Sequence, residues 1–191
     1  MANVKLSKDE LELVTNAELI LTKNRIIQKV YGLFGELSEE YQHLSKFLDP
    51  SLTQISPKIS KGENYSGLPW VMLDYPRNFS RNDVFAIRSF FWWGKHFSIT
   101  LQLQGKYQQQ FASSLQQHIN KDWWIGIGAD AWQHHFEMDN YRLFDERDNL
   151  SEFPFIKLAK KIPLHEWDNV FDFFTSNFAE LMNILSTKAM K

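Results

Sequence analysis

The chain has 191 residues, a formal net charge of -2 and no cysteine, with 43% apolar, 23% charged and 15% aromatic residues. These are the proportions of a globular protein, and 8 Gly with 6 Pro are too few for a collagen-like, low-complexity or turn-dense all-β chain. The near-balanced charge offers no global field to phosphate backbones or anionic lipid, so neither nucleic acid nor membrane is an expected partner.

Ser7 followed by Glu10 has capping-box spacing, which predicts a helix start there and a break or re-cap near Thr15 and Asn16. Beyond it, Ile27, Val30, Phe34, Leu37, Tyr41, Leu44 and Leu48 recur at steps of three and four, one stripe of a long helix over about 16–48. Asp49-Pro50 is its expected end, because the residue before proline is pushed out of the α region. The stripe has two readings. It packs on its own domain, or it is the seam of a homodimer; with Gly32 and Gly35 inside it, the intramolecular reading is preferred.

Residues 51–67 read as a loop with a short edge strand near Ile55 to Ile59, and Leu68 to Tyr75 as a strand. Val84 to Trp93 is aromatic and branched, whereas Phe97, Ile99, Leu101 and Leu103 alternate with Ser98, Thr100, Gln102 and Gln104; Gly94-Lys95 between them marks a hairpin. Tyr107, Phe111, Leu115 and Ile119 then place an inserted helix over about 106–120, with a strand at Trp123 to Ile127 after it. Residues 129–146 fit a short helix or a strand. Phe155 to Ile162 alternates again. Trp167, Phe171, Phe174, Phe178, Leu181 and Leu185 make a C-terminal helix over about 166–187. The expectation is a single α+β domain with a sheet region over about 55–162. Its central antiparallel or mixed sheet has about five strands, packed by long N- and C-terminal helices.

Three strings could carry chemistry. Gly126-Ile127-Gly128-Ala129-Asp130-Ala131 matches G-x-G-x-x-A after a strand, but a doubly wound domain needs several βαβ units downstream, and close backbone packing explains two glycines equally well. His134, His135, Glu137 and Asp139 are the densest set of nitrogen and oxygen metal ligands, suited to a metal-assisted hydrolase, although their spacing matches no recognised site and a solvated polar face is the plainer reading. No cofactor is predicted.

The third string carries most weight. On a strand, Phe90 and Trp92 share the face of Arg88. A two-residue hairpin loop would put Arg88 beside Leu101 on the apolar side. A three-residue loop, Gly94 to His96, would pair Trp93 with Phe97 and set Arg88 among Ser98, Thr100 and Gln102. An unpaired buried guanidinium is costly, so the second register is preferred. Arg88, Phe90, Trp92, Thr100 and Gln102 then form a mixed aromatic and polar face, the makeup of a site for a small anionic or ring-bearing molecule or for a protein partner. The plainer alternative is a covered sheet face with Arg88 paired to a carboxylate such as Asp74. Trp70 and an Asp74-Tyr75-Pro76-Arg77 turn are expected to close one end of that surface. Three function classes follow, in this order: a binding module on the Arg88 face, a metal-assisted hydrolase, and an oligomeric protein built through the N-terminal helix. The polar start of the chain, the lack of any run near 18 apolar residues and the zero cysteine count fit a cytoplasmic location.

Overall fold

The computed structural model describes residues 4–186. Ser7 caps a first helix, α1 (Lys8–Thr15): its hydroxyl accepts from the Glu10 N–H while the Glu10 carboxylate accepts from the Ser7 N–H, the reciprocal capping box. Asn16 ends α1 and caps the next helix, α2 (Ala17–Leu44), by accepting from the Leu19 N–H. α1 buries no side chain. The long helix stops at Leu44 rather than near residue 48, and Asp49-Pro50 caps a short helix, α3 (Pro50–Thr53), with the Asp49 carboxylate accepting from the Ser51 N–H.

Seven strands follow: β1 (Lys58–Tyr65), β2 (Leu68–Phe79), β3 (Val84–Trp92), β4 (His96–Gln104), β5 (Trp124–Gly126), β6 (Tyr141–Leu143) and β7 (Ile156–Pro163). They form one wholly antiparallel sheet in the order β1-β2-β3-β4-β7-β5-β6. Between β4 and β5 lies α4 (Lys106–His118); after β7 come a 3-10 turn (Leu164–Asn169) and α5 (Val170–Ser186). The protein is therefore α+β, with seven strands where five were expected. β1 extends well past Ile59, and β6 arises from within the ambiguous 129–146 stretch. The expected final helical residue, Thr187, lies outside the described residues.

One sheet face is the main core. Val71, Leu73, Phe85, Ile87, Phe91, Phe97, Ile99, Leu101, Leu103, Ile156 and Leu158 pack under α2, α4 and α5. The α2 stripe supplies Ile27, Val30, Phe34, Leu37 and Tyr41, and α5 answers with Phe174, Phe178 and Leu181. Tyr41 stacks on Phe178 with centroids 3.7 Å apart and shares a 2.8 Å hydrogen bond with Ser89, so its phenol is solvated by the protein even though fully enclosed. The residues expected to form a dimer seam are thus occupied within the domain.

The opposite sheet face carries a smaller apolar cluster, Met72, Phe90 and Trp92, with Tyr65, Leu68 and Trp70 against it. Hairpin pairing places it there. The connecting residues are Trp93, Gly94 and Lys95, so Phe91 pairs with Phe97 and Arg88 with Thr100. That is a two-residue slip from the expected Trp93–Phe97 pairing. A slip of two preserves the face of every side chain, and Arg88 does share its side of the sheet with Ser98, Thr100 and Gln102. The Trp93 N–H donates to the Pro69 carbonyl of β2 at 3.0 Å, the Lys95 N–H closes the turn on the Trp92 carbonyl at 3.1 Å, and Gly94 takes the left-handed backbone (φ 68°).

Candidate functional site

The second sheet face is covered by an irregular segment, residues 127–140, rather than by a helix. Its ends meet: the Ile127 and Gly128 N–H groups both donate to the Asn140 carbonyl, at 2.9 and 3.3 Å. A compact loop closed at its base is an Ω-loop. Lys157 of β7 runs into its centre and donates to the Gln133 carbonyl (3.0 Å), the Asn140 side-chain oxygen (2.9 Å) and the Asp130 carbonyl (3.5 Å). This lysine has 0% exposure, and its burial pushes the ammonium down to about 8.

The two glycines of the apparent dinucleotide fingerprint serve this arrangement. A Cβ on Gly126 would lie 2.9 Å from the Lys157 Cβ and overlap the outer lysine carbons as well; one on Gly128 would lie 2.9 Å from the Asn140 side-chain oxygen. β5 also pairs antiparallel with both its neighbours, so there is no βαβ turn for a pyrophosphate.

Beside the Ω-loop, where it meets β1 and β2, a groove of about 510 Å³ is lined by Lys58, Tyr65, Trp70, Asp74, Arg77, Phe79, Arg88, Phe90, Trp132 and His134, among others. Arg88 stands at its centre. Its Nε and Nη2 donate to the two Asp74 carboxylate oxygens at 2.7 and 3.4 Å, the fork geometry that suits a guanidinium. Its remaining branch, Nη1, lies 3.4 Å from His134 Nε2. The guanidinium carbon sits 4.8 Å from the centre of the Trp132 ring and 5.6 Å from that of Phe79. Trp132 and Phe79 contact each other at 5.8 Å and are both substantially exposed.

His134 is the junction of the two residue sets singled out from the sequence. Its ring is buried against Phe90 (5.1 Å), and its backbone N–H donates to the Tyr65 hydroxyl at 2.6 Å. The Tyr65 hydroxyl in turn donates to Gln133 Oε1. Burial holds the imidazole well below its ordinary value, and the Arg88 guanidinium and Lys157 ammonium push the same way. An arginine can only donate, so the Nε2 that faces it is the acceptor and the ring proton sits on Nδ1.

Arg88 and Phe90 line the groove as expected. Trp92 lies behind it, its indole N–H donating to the Tyr65 carbonyl at 3.1 Å. Thr100 and Gln102 share the face but are fully buried and do not line the groove. The Arg88–Asp74 pairing is the one expected for a covered arginine, yet it occurs at the wall of an open groove. Of the metal-ligand set, His134 turns inward while Glu137 and Asp139 stay exposed, and among the described residues no three His, Asp or Glu side chains gather into a site. Trp70, Asp74 and Arg77 do lie at the groove, although Asp74 to Arg77 is a bulged part of β2, with a cis Tyr75–Pro76 peptide, and not a turn. Lys58, Phe79, Trp132 and Lys157 had no signal in the sequence. Each acquires its place through a contact with a distant segment. No helix among the described residues is long and apolar enough to cross a membrane. No family model matches the chain, and neither a curated protein nor a solved structure matches it.

Proposed function

We propose that this chain is a binding module for small anionic ligands bearing a planar ring, held in the groove at Arg88. The observation that carries this reading is the charge and ring content of the groove: Lys58, Arg77 and Arg88 face it against a single carboxylate, Asp74, beside the rings of Trp70, Phe79, Phe90 and Trp132. A carboxylate or phosphate would meet excess positive charge there, and a flat ring would meet aromatic faces. The volume falls within the range of about 300–1,000 Å³ typical of small-molecule sites, which favours a small ligand over a protein partner. The metal-assisted hydrolase reading has no converging ligands in its support among the described residues, and His134 faces a guanidinium. The oligomer reading draws on a stripe that α5 and the sheet already cover.

Benzoate and benzamide separate an anion site from a generic aromatic one. Titration of each into the protein, followed by tryptophan fluorescence, is expected to give saturable binding of benzoate and at least about tenfold weaker binding of benzamide. Arg88→Gln is expected to remove that preference. Equal affinity for the two compounds in the unsubstituted protein would refute the reading.

A further inference from the structure

Strand register grades the Arg88 groove from one end to the other. Across β1, β2 and β3, Lys58, Asp74 and Arg88 lie in one row; Ser60, Met72 and Phe90 form the next, and Gly62, Trp70 and Trp92 the one after. On the far side of the β2 bulge, Arg77 extends the charged end by pairing with Ala86. All of the first two rows, with Arg77 and Trp70, line the groove. Residues on one face of a strand recur about every 6.5–7 Å, so the Trp70 row lies about 13 Å from the charged one. The cations are therefore gathered at one end. Arg88 is paired with Asp74, but Lys58 has no hydrogen-bond or ion-pair partner among the described residues, and Arg77 donates only to the Ser56 carbonyl. Three cations face one carboxylate there, an excess of two positive charges. A carboxylate would neutralise one of them, whereas a phosphate monoester carries about -1.5 to -2 at neutral pH and matches both.

The other end is prepared for a ring. A glycine at position 62 is what lets the Trp70 indole lie over β1, since a Cβ there would come within 2.5, 2.6 and 2.8 Å of three indole atoms. The indole is only half-buried and is braced by Phe90, with centroids 6.2 Å apart. Trp132, at the charged end, is by contrast already turned to the Arg88 guanidinium at 4.8 Å. Between the two ends stands Ser60, whose hydroxyl has no partner among the described residues. The geometry points to a ligand with a phosphate monoester at one end and a planar ring at the other, joined by a hydroxylated spacer the size of a sugar: the build of a nucleoside 5′-monophosphate. This deepens the proposed binding function and rests on it. The phosphate meets Arg88, Arg77 and Lys58, the base stacks on Trp70, and the sugar passes over Met72 with Ser60 beside its hydroxyls. Once about 3 Å is allowed for hydrogen bonds at the charged end, about 10 Å of ligand is needed to reach Trp70. A ring, a sugar and a phosphate laid end to end supply that length, and a ring bearing its own anion does not. Volume agrees, because the groove holds about 510 Å³ whereas a cavity of about 150 Å³ accommodates a single benzene ring.

The test is calorimetric titration of adenosine 5′-monophosphate, ribose 5-phosphate and adenosine into the whole chain. The nucleotide is expected to bind at least about tenfold more tightly than either of its parts, the increment that stacking of one base on an aromatic side chain supplies. In Trp70→Leu its affinity is expected to fall to within about twofold of that for ribose 5-phosphate. The ratio of the two affinities is the readout, because a change at the phosphate end cancels in it. Gly62→Ala keeps the indole but displaces it, so it is expected to lower the same ratio, and it decides alone if Trp70→Leu does not fold. A nucleotide that binds no more tightly than ribose 5-phosphate, or a ratio unchanged in either folded variant, overturns the ring end. Adenosine binding as tightly as the nucleotide overturns the phosphate end. In each of these cases a retained preference for benzoate over benzamide leaves the proposed groove standing, whereas loss of that preference removes the groove and this ligand together.

Discussion

Replacing Lys157 with methionine tests whether a buried ammonium holds the Ω-loop. In the unfolded chain this lysine keeps its proton up to its ordinary value of 10.5, whereas burial in the folded protein pushes it down to about 8. Between those limits the unfolded state binds one proton more than the folded state. The lysine's contribution to stability therefore rises with pH through this window and is lowest below pH 8, where the folded protein must keep a charge away from water. The slope is at most about 1.4 kcal/mol per pH unit, and the whole window amounts to about 3 kcal/mol. Methionine has similar length and does not titrate. Urea denaturation of both proteins, followed by tryptophan fluorescence at intervals from neutral pH to about 10.5, gives the difference in stability between them, in which groups common to both cancel. The variant also leaves the Asp130 and Gln133 carbonyls and the Asn140 side-chain oxygen without their donor, but that loss adds a constant. The slope is the diagnostic part. The unsubstituted protein should gain on Lys157→Met as pH rises from 8 to 10.5; a flat difference, or one that declines, would refute the burial argument.

Gly126→Ala is expected to destabilise by about 1–3 kcal/mol, since the new methyl must displace the Lys157 side chain. Gly32→Ala, in the exposed part of α2 where nothing lies within 4 Å, should stabilise by about 0.5–1 kcal/mol, and chemical denaturation checks both. Asp74→Asn removes the carboxylate that competes for Arg88. It should cost about 1–3 kcal/mol in stability and at the same time tighten benzoate binding, measured by calorimetry. Deleting residues 1–15 should change the melting temperature by no more than about one degree, because α1 buries no side chain and Asn16 remains to cap α2.

Where a segment's partner is itself a regular element, its periodicity was enough to place it. The stripe from Ile27 to Tyr41, the Phe174 to Leu185 stripe and the alternation from Phe97 to Gln104 each identified an element and its apolar face, although the polar face of β4 is buried as well. Endings were less legible. The α2 stripe keeps its apolar rhythm through Leu48, whose burial comes from the turn after the helix rather than from the helix itself. β1 escaped notice for most of its length because an edge strand with one neighbour has little to bury, and Lys58 to Tyr65 is accordingly polar. The hairpin shows what alternation can decide. Parity set which face Arg88 occupies, but alternation alone does not distinguish registers two residues apart, since both keep every side chain on the same face.

The groove was half legible for the same reason. Arg88 and Phe90 were visible because a cation amid aromatic residues on one strand is a local anomaly. Lys157 was not, because a lysine in an alternating strand looks like any solvent-facing residue, and its burial depends on Asp130, Gln133 and Asn140 in a loop, residues 127–140, that has no periodicity. That loop also joins two residue sets which the sequence keeps apart. Arg88 and His134 were read as centres of rival functions, one binding ligands and one binding metal, and they meet at 3.4 Å. The contact works against the metal reading, since a histidine that accepts from a guanidinium has its Nε2 lone pair engaged and a positive charge beside it. It works for the ligand reading. With Nε2 turned to Arg88, the buried ring nitrogen Nδ1 has no hydrogen-bond partner among the described residues, so His134 ties the groove wall to the Ω-loop through its backbone N–H and its Nε2 alone.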